Sequence, residues 1–107
     1  MHACHEKEHP MVFHKDSSFD WDENKNAVNI LKHGISFYEA MTVFDDDNAL
    51  YKPDISHSSD EDRFIILGLS ANPRLLVVCH CYRESETVIR IISARKATTS
   101  EREQYGG

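Results

Sequence analysis

No stretch of the 107-residue sequence approaches the roughly 18 consecutive apolar residues that a membrane span requires. The opening MHACHEKEHP also lacks the apolar segment of an export signal, so the expected address is the cytoplasm. Cysteine is scarce and odd in number, with only Cys4, Cys79 and Cys81. The last two stand two apart in a strand-like run, pointing the same way about 6 to 7 Å from each other, which is poor geometry for a bridge. They read as reduced thiols. Arginine is missing from residues 1–62, where five lysines face fourteen carboxylates for a net −9. Residues 63–107 reverse the sign, with six arginines and one lysine against four glutamates, a net +3. The total of −6 therefore hides a basic distal part. Screening confines surface potentials to about 8 to 10 Å, so that part can bind phosphate locally on an acidic molecule. A solvated, mixed-charge surface is the competing reading, and charge alone favours it.

What is present suffices for one core. Hydrophobic residues at 40% and aromatic residues at 9% are values of a folded protein, and the length suits one domain rather than two. Residues 1–17, with four histidines, Pro10 and no periodicity, read as a flexible extension in which Met11 is an alternative start, leaving 18–107 as the domain. Phe19 to Trp21 reads as a short extended entry. Asp22 then serves as an N-cap, Ala27, Ile30 and Leu31 fall at helical spacing, and Gly34 is a stop, which predicts a first helix. Ser36-Phe37-Tyr38-Glu39 is a capping box, with Phe37, Ala40, Met41 and Phe44 as the apolar stripe of a second helix.

After Asp45-Asp46-Asp47-Asn48 the period shifts toward two. Strands are expected at Ala49 to Lys52, Arg63 to Ser70, Arg74 to Tyr82 and Thr87 to Ala94, the last three as an antiparallel meander, with Pro53 to Asp62 a polar loop. Thr98-Thr99-Ser100-Glu101 is a second capping box, opening a short last helix. Two helices, about four antiparallel strands and a C-terminal helix define an α+β fold, without internal repeats.

Several strings carry a likeness to a known family. Phe19-Asp20-Trp21-Asp22 with Lys25, Asn29, Lys32-His33-Gly34, Ile35-Ser36-Phe37 and Glu39-Ala40 resembles the N-terminal signature of BrnT toxins. Val43-Phe44-Asp45-Asp46, His57-Ser58, Glu61, Arg63, Gly68, Arg90-Ile91-Ile92-Ser93-Ala94-Arg95, Ala97-Thr98, Glu101-Arg102 and Tyr105 follow in order. The departures are the long N-terminus and the cysteines flanking His80. The resemblance implies a RelE-like ribonuclease fold, an RNA substrate, no metal or other cofactor, and a BrnA-type ribbon-helix-helix antitoxin, through which alone the chain would meet operator DNA. Such a toxin inhibits translation and growth until the antitoxin neutralises it in a hetero-oligomer.

Metal-free cleavage through the ribose 2′-hydroxyl needs a base, an acid and fixed cations for the charge of the transition state. Arginine suits the last role, because its planar fork binds phosphate oxygens bidentately. Arg63 and Arg83, at opposite strand ends, are expected near one rim. Arg90 and Arg95 are an odd number apart and should face opposite sides of their strand, with Arg95 favoured for the site. Arg102 is a further candidate. Each arginine also fits a solvated face or an ion pair. His80 is the proton-transfer candidate and fits equally a hydrogen-bonded core imidazole. Cys79-His80-Cys81 cannot converge on zinc, because neighbours on a strand face opposite sides.

Lys32 and His33 are expected to touch substrate, although cations in a last helical turn also satisfy the helix dipole. Lys25, Asn29 and Lys32 share a polar stripe. His57 lies among acids in the polar loop, and Glu39 and Glu101 are assigned to caps. Tyr105 could stack on a base or edge the core. A non-catalytic module that only holds a partner is the rival reading. Direct DNA binding is opposed by the net charge and the lack of a recognition-helix pattern.

Overall fold

Local chemistry sets the two N-terminal helices of the computed structural model, which describes residues 12–14, 17–54, 63–83 and 87–106. Asp22 accepts from the Asn24 backbone N–H at 2.8 Å and starts helix α1, Glu23–His33. Gly34, at φ 72°, ends it by donating its N–H to the Ile30 carbonyl at 2.8 Å, a conformation that a Cβ disfavours. Ser36 Oγ accepts from the Glu39 N–H at 3.1 Å and opens α2, Phe37–Thr42, which continues as a 3₁₀ turn over Val43–Asp45.

The sheet has six strands: β1 Val12–His14, β2 Ser17–Asp20, β3 Leu50–Pro53, β4 Phe64–Leu69, β5 Leu75–Arg83 and β6 Val88–Lys96. Their spatial order is β1-β2-β6-β5-β4-β3. All neighbours are antiparallel except β2 and β6, where Phe19 lies opposite Ile89 in a parallel pair. The final helix α3, Thr99–Gly106, follows β6. The fold is thus α+β, with the expected meander β4-β5-β6. The additional strands come from the N-terminal segment: β1 pairs only with its neighbour β2, and β2 joins the sheet through β6, about 70 residues away, a pairing that leaves no local pattern to read. His57 lies outside the described residues.

One sheet face carries the main core. Phe19, Trp21, Ile35, Phe37, Ala40 and Val43 pack on Ile66, Leu76, Val78, Ile89, Ile91 and Ala94. Fully burying each large side chain contributes about 2 kcal/mol. Trp21 meets Phe37 and Tyr38 edge-on, at centroid distances of 6.0 and 4.9 Å. On the opposite face Leu67, Leu75 and Val77 pack with Ile65, Ala97 and Tyr105, where α3 crosses. Gly68 lets β4 approach the 3₁₀ turn closely: a Cβ there would meet Ala49 Cβ and Val43 Cγ1, both at 3.0 Å.

Helix α1 reverses the expected amphipathicity. Ile30 and Leu31 are 44% and 86% exposed, Ala27 is exposed as well, and the buried positions are Asn26 and Asn29. The Asn29 amide donates to the carbonyls of Ile35 and Ala94 at 2.9 and 2.8 Å and accepts from the Ala94 N–H at 3.1 Å. Asn26 Oδ1 accepts from the Phe37 N–H at 2.8 Å. Saturated hydrogen bonding removes the penalty of burying these amides, and it outweighs the apolar spacing of the helix. Asn29 therefore meets the flank of β6 beyond Arg90, the last residue there to pair with β2.

Candidate nucleic-acid interface

The sheet face opposite α1 and α2 gathers the charged side chains. Strand pairing aligns Lys52, Ile65, Cys79 and Ser93 in one cross-strand row, and Leu50, Leu67, Val77 and Arg95 in the next. Asp54 and Arg63 stand one residue beyond the Pro53–Phe64 pair, the Asp54 N–H donating to the Arg63 carbonyl at 2.8 Å. These rows frame a cavity of about 270 Å³ lined by Asp54, Arg63, Ile65, Val77, Cys79, Ile92, Ser93 and Arg95.

A β-bulge shapes this cavity. Cys79 pairs with Ser93 while the next residue, His80, pairs with Ile91, so Ile92 is an extra residue in β6. The bulge shifts the alternation. Arg90 lies opposite Cys81 and Arg95 opposite Val77, both odd positions of β5, so the two arginines share a sheet face instead of facing opposite sides as regular alternation predicts. Arg90 does not line the cavity and pairs with Asp20 at 3.3 Å.

Ile92 and Ser93 also border a second cavity, of about 420 Å³, which Lys25, Lys32 and His33 of α1 line together with Asp22, Asn24, Val28 and Asn29. The two cavities therefore adjoin at the bulge, one with Arg63 and Arg95 in its wall and the other with Lys25 and Lys32 of α1.

Arg95 is held firmly. Its Nη1 and Nη2 each donate to one oxygen of the Glu101 carboxylate at 2.9 Å. The Arg95 guanidinium holds the Glu101 carboxyl down at about 2, against burial, with the Thr98 N–H assisting. Thr98 and Glu101 complete the expected capping box: the Thr98 N–H donates to Oε1 at 2.8 Å and the Glu101 N–H to Thr98 Oγ1 at 3.2 Å. Glu39, by contrast, joins its cap only through its backbone N–H, which donates to Ser36 Oγ, and its side chain does not cap as expected. Its carboxylate accepts from Arg74 Nη2 at 2.6 Å and from Ser70 Oγ at 2.7 Å, which hold its pKa below the ordinary value.

Other expected site residues lie elsewhere. His80 is 0% exposed on the helix-covered face, its ring against Phe44, Phe64 and Tyr82. Desolvation lowers its pKa to about 4, and Nδ1 and Nε2 lie 3.2 Å from the Val78 carbonyl and 3.3 Å from the Tyr82 hydroxyl. The placement corrects the expectation of His80 as the proton-transfer group and matches the other reading, a hydrogen-bonded core imidazole. Strand alternation does put it opposite Cys79, but the apolar run around it belongs to the core. Arg83 ends β5 four residues beyond Cys79, roughly 13 Å along the strand, and is not among the lining residues.

Tyr105 packs on the Leu67, Leu75 and Val77 cluster and donates its hydroxyl to Asp46 Oδ2 at 2.6 Å, tying α3 to the turn after α2. It borders a separate groove of about 590 Å³ with Arg74, Lys96 and Arg102.

Asp54, Cys79 and Ser93 were not read as site residues from the sequence. Continuing the alternation from Arg95 back to Ser93, and closing the hairpin from Arg63 onto Asp54, would have found two of them. Burial and then the Asp54 charge push the Cys79 thiol up to about 11, although Arg63 pulls it down. Cys79 and Cys81 are free thiols. Among the described residues no group of three or more His, Cys, Asp or Glu is arranged to hold a metal ion, and no helix is long and apolar enough to cross a membrane.

Two comparisons find relatives. A family model described as the ribonuclease toxin BrnT of type II toxin-antitoxin systems matches residues 21–101, from Trp21 into α3. The crystal structure of the Brucella abortus ribonuclease toxin BrnT is similar, at 25% identity and a TM-score of 0.56, over 74% of this chain and 94% of that one. Among curated proteins none matches.

Proposed function

We propose, from the fact that this chain belongs to the BrnT family of ribonuclease toxins of type II toxin-antitoxin systems, that it cleaves RNA without metal in the cavity between Arg63 and Arg95. The observation that supports this reading is the meeting of the two cavities at the Ile92 bulge, one walled by Arg63 and Arg95 and the other by Lys25, Lys32 and His33, so that a line from one cavity to the other passes both sets. An RNA strand lying along that line has its scissile phosphate over the sheet and a neighbouring phosphate at the end of α1. The two guanidinium groups stabilise the charge that develops on the non-bridging oxygens as the 2′-oxygen attacks. Arg83, outside the cavity wall, is left out of the reacting site, and Tyr105 acts by holding α3.

Cleavage of messages in the cytoplasm then halts translation and growth until an antitoxin intervenes. A type II toxin implies such a partner, and a BrnA-type ribbon-helix-helix protein that also contacts operator DNA fits that place. Its carboxylates would cover the arginines, as Glu101 covers Arg95. The fork of Glu101 on Arg95 also supports a second reading, a module that binds its partner and cleaves nothing.

Purified chain incubated with total RNA in EDTA separates the two. Cleavage is expected, with Arg95→Ala or Arg63→Ala slowing it about 10²-fold or more. Intact RNA at every enzyme concentration would establish the non-catalytic reading.

A further inference from the structure

Cleavage through the 2′-hydroxyl requires a group that removes its proton, and most titratable neighbours of the cavity are unsuited to that step. His80 is wholly buried on the other sheet face. The Cys79 thiol, at about 11, is protonated at neutral pH and has no place for a proton. Glu101 has both carboxylate oxygens on the Arg95 fork. One carboxylate lines the cavity among the described residues, that of Asp54.

Asp54 sits where β3 ends, anchored by its own N–H on the Arg63 carbonyl at 2.8 Å. That anchor fixes it across from Arg63, and Oδ2 lies 3.7 Å from Cys79 Sγ in the middle of the cavity wall. The charged and titratable groups that share this cavity are Arg63 just before β4, Cys79 from β5 and Arg95 from β6.

From this placement, a cavity-lining carboxylate across from Arg63, we propose that Asp54 is the general base of the RNA-cleaving reaction, a catalytic role that rests on the nuclease reading above. The Asp54 carboxylate takes the proton of a ribose 2′-hydroxyl. The 2′-oxygen forms a bond to the adjacent phosphorus, the bond from phosphorus to the 5′-oxygen breaks, and that oxygen takes a proton from solvent water. The products are a 2′,3′-cyclic phosphate and a free 5′-hydroxyl, with no change of oxidation state. Asp54 afterwards returns its proton to solvent.

The test is single-turnover cleavage of a short RNA by the full chain and by Asp54→Asn and Asp54→Glu, in EDTA across pH 4 to 9. Affinity for the same sequence with 2′-deoxyribose and the melting temperature are measured alongside. Asp54→Asn is expected to cleave about 10² to 10⁴ times more slowly, with its melting temperature kept and its affinity for the deoxy analogue equal or tighter. Wild-type rate should fall as acid protonates the carboxylate, that limb should vanish in Asp54→Asn, and Asp54→Glu should recover part of the rate. Cleavage by Asp54→Asn within threefold of wild type overturns the assignment and leaves the nuclease reading intact. So does a loss of rate matched by an equal loss of affinity or folding, which marks a structural role. A wild-type chain that cleaves nothing overturns both.

Discussion

Each nitrogen of the Arg95 fork lies 2.9 Å from its own oxygen of Glu101, so a carboxylate from the same chain occupies the guanidinium as a phosphate would. The pair joins the last strand to the last helix. It also sets a competition between Glu101 and any bound anion.

Glu101→Gln should relieve that competition. Arg95 is 42% exposed on its side chain, so the pair is worth at most about 1 kcal/mol after solvent screening. Binding of a non-cleavable 2′-deoxy RNA should tighten by up to about fivefold, a change that filter binding resolves, and weaker binding would contradict the competition.

The same carboxyl makes an acid-stability signature. A group held at about 2 in the folded chain and near 4.5 in the unfolded one stabilises fully above about pH 4.5, and loses that contribution as pH falls toward 2. Melting temperature against pH should drop in that window for wild type, and less steeply for Glu101→Gln.

His80 titrates in a different window. Its folded pKa of about 4 lies below the ordinary 6.5, so the unfolded chain binds the extra proton between these values. Stability is complete above pH 6.5 and declines as pH falls through 4. His80→Leu, which keeps the site apolar and filled, should flatten this decline and leave RNA cleavage within a few-fold of wild type. A cleavage loss of 10² or more with an unchanged melting temperature would return His80 to the chemistry.

Asn29→Ala removes three hydrogen bonds from a buried site and leaves the Ala94 and Ile35 carbonyls and the Ala94 N–H without that partner. A loss of about 2 to 4 kcal/mol is expected in urea unfolding. Asn24→Ala, on the exposed side of the same helix, should change stability by under about 0.5 kcal/mol.

Much of the frame is readable from local chemistry. Asp22, Gly34 and Ser36 bound the helices as their side chains and φ angles require, and alternation marks the meander. The site is less so, because three of its determinants are non-local. The orientation of α1 depends on backbone groups that Asn26 and Asn29 meet across the fold, against the local spacing of Ile30 and Leu31. The shared face of Arg90 and Arg95 depends on one extra residue in β6 that no periodicity announces. The burial of His80 depends on Phe44 and Phe64, which arrive from other elements.

The Asn29 amide does for β6 what another strand would do. An open β-strand flank invites identical chains to add to it, and through repetition to build insoluble fibres. By saturating Ala94 with a side chain that carries no further ladder, the molecule stops its own sheet from growing at that point, so copies made in excess of their partner meet one fewer route to self-association.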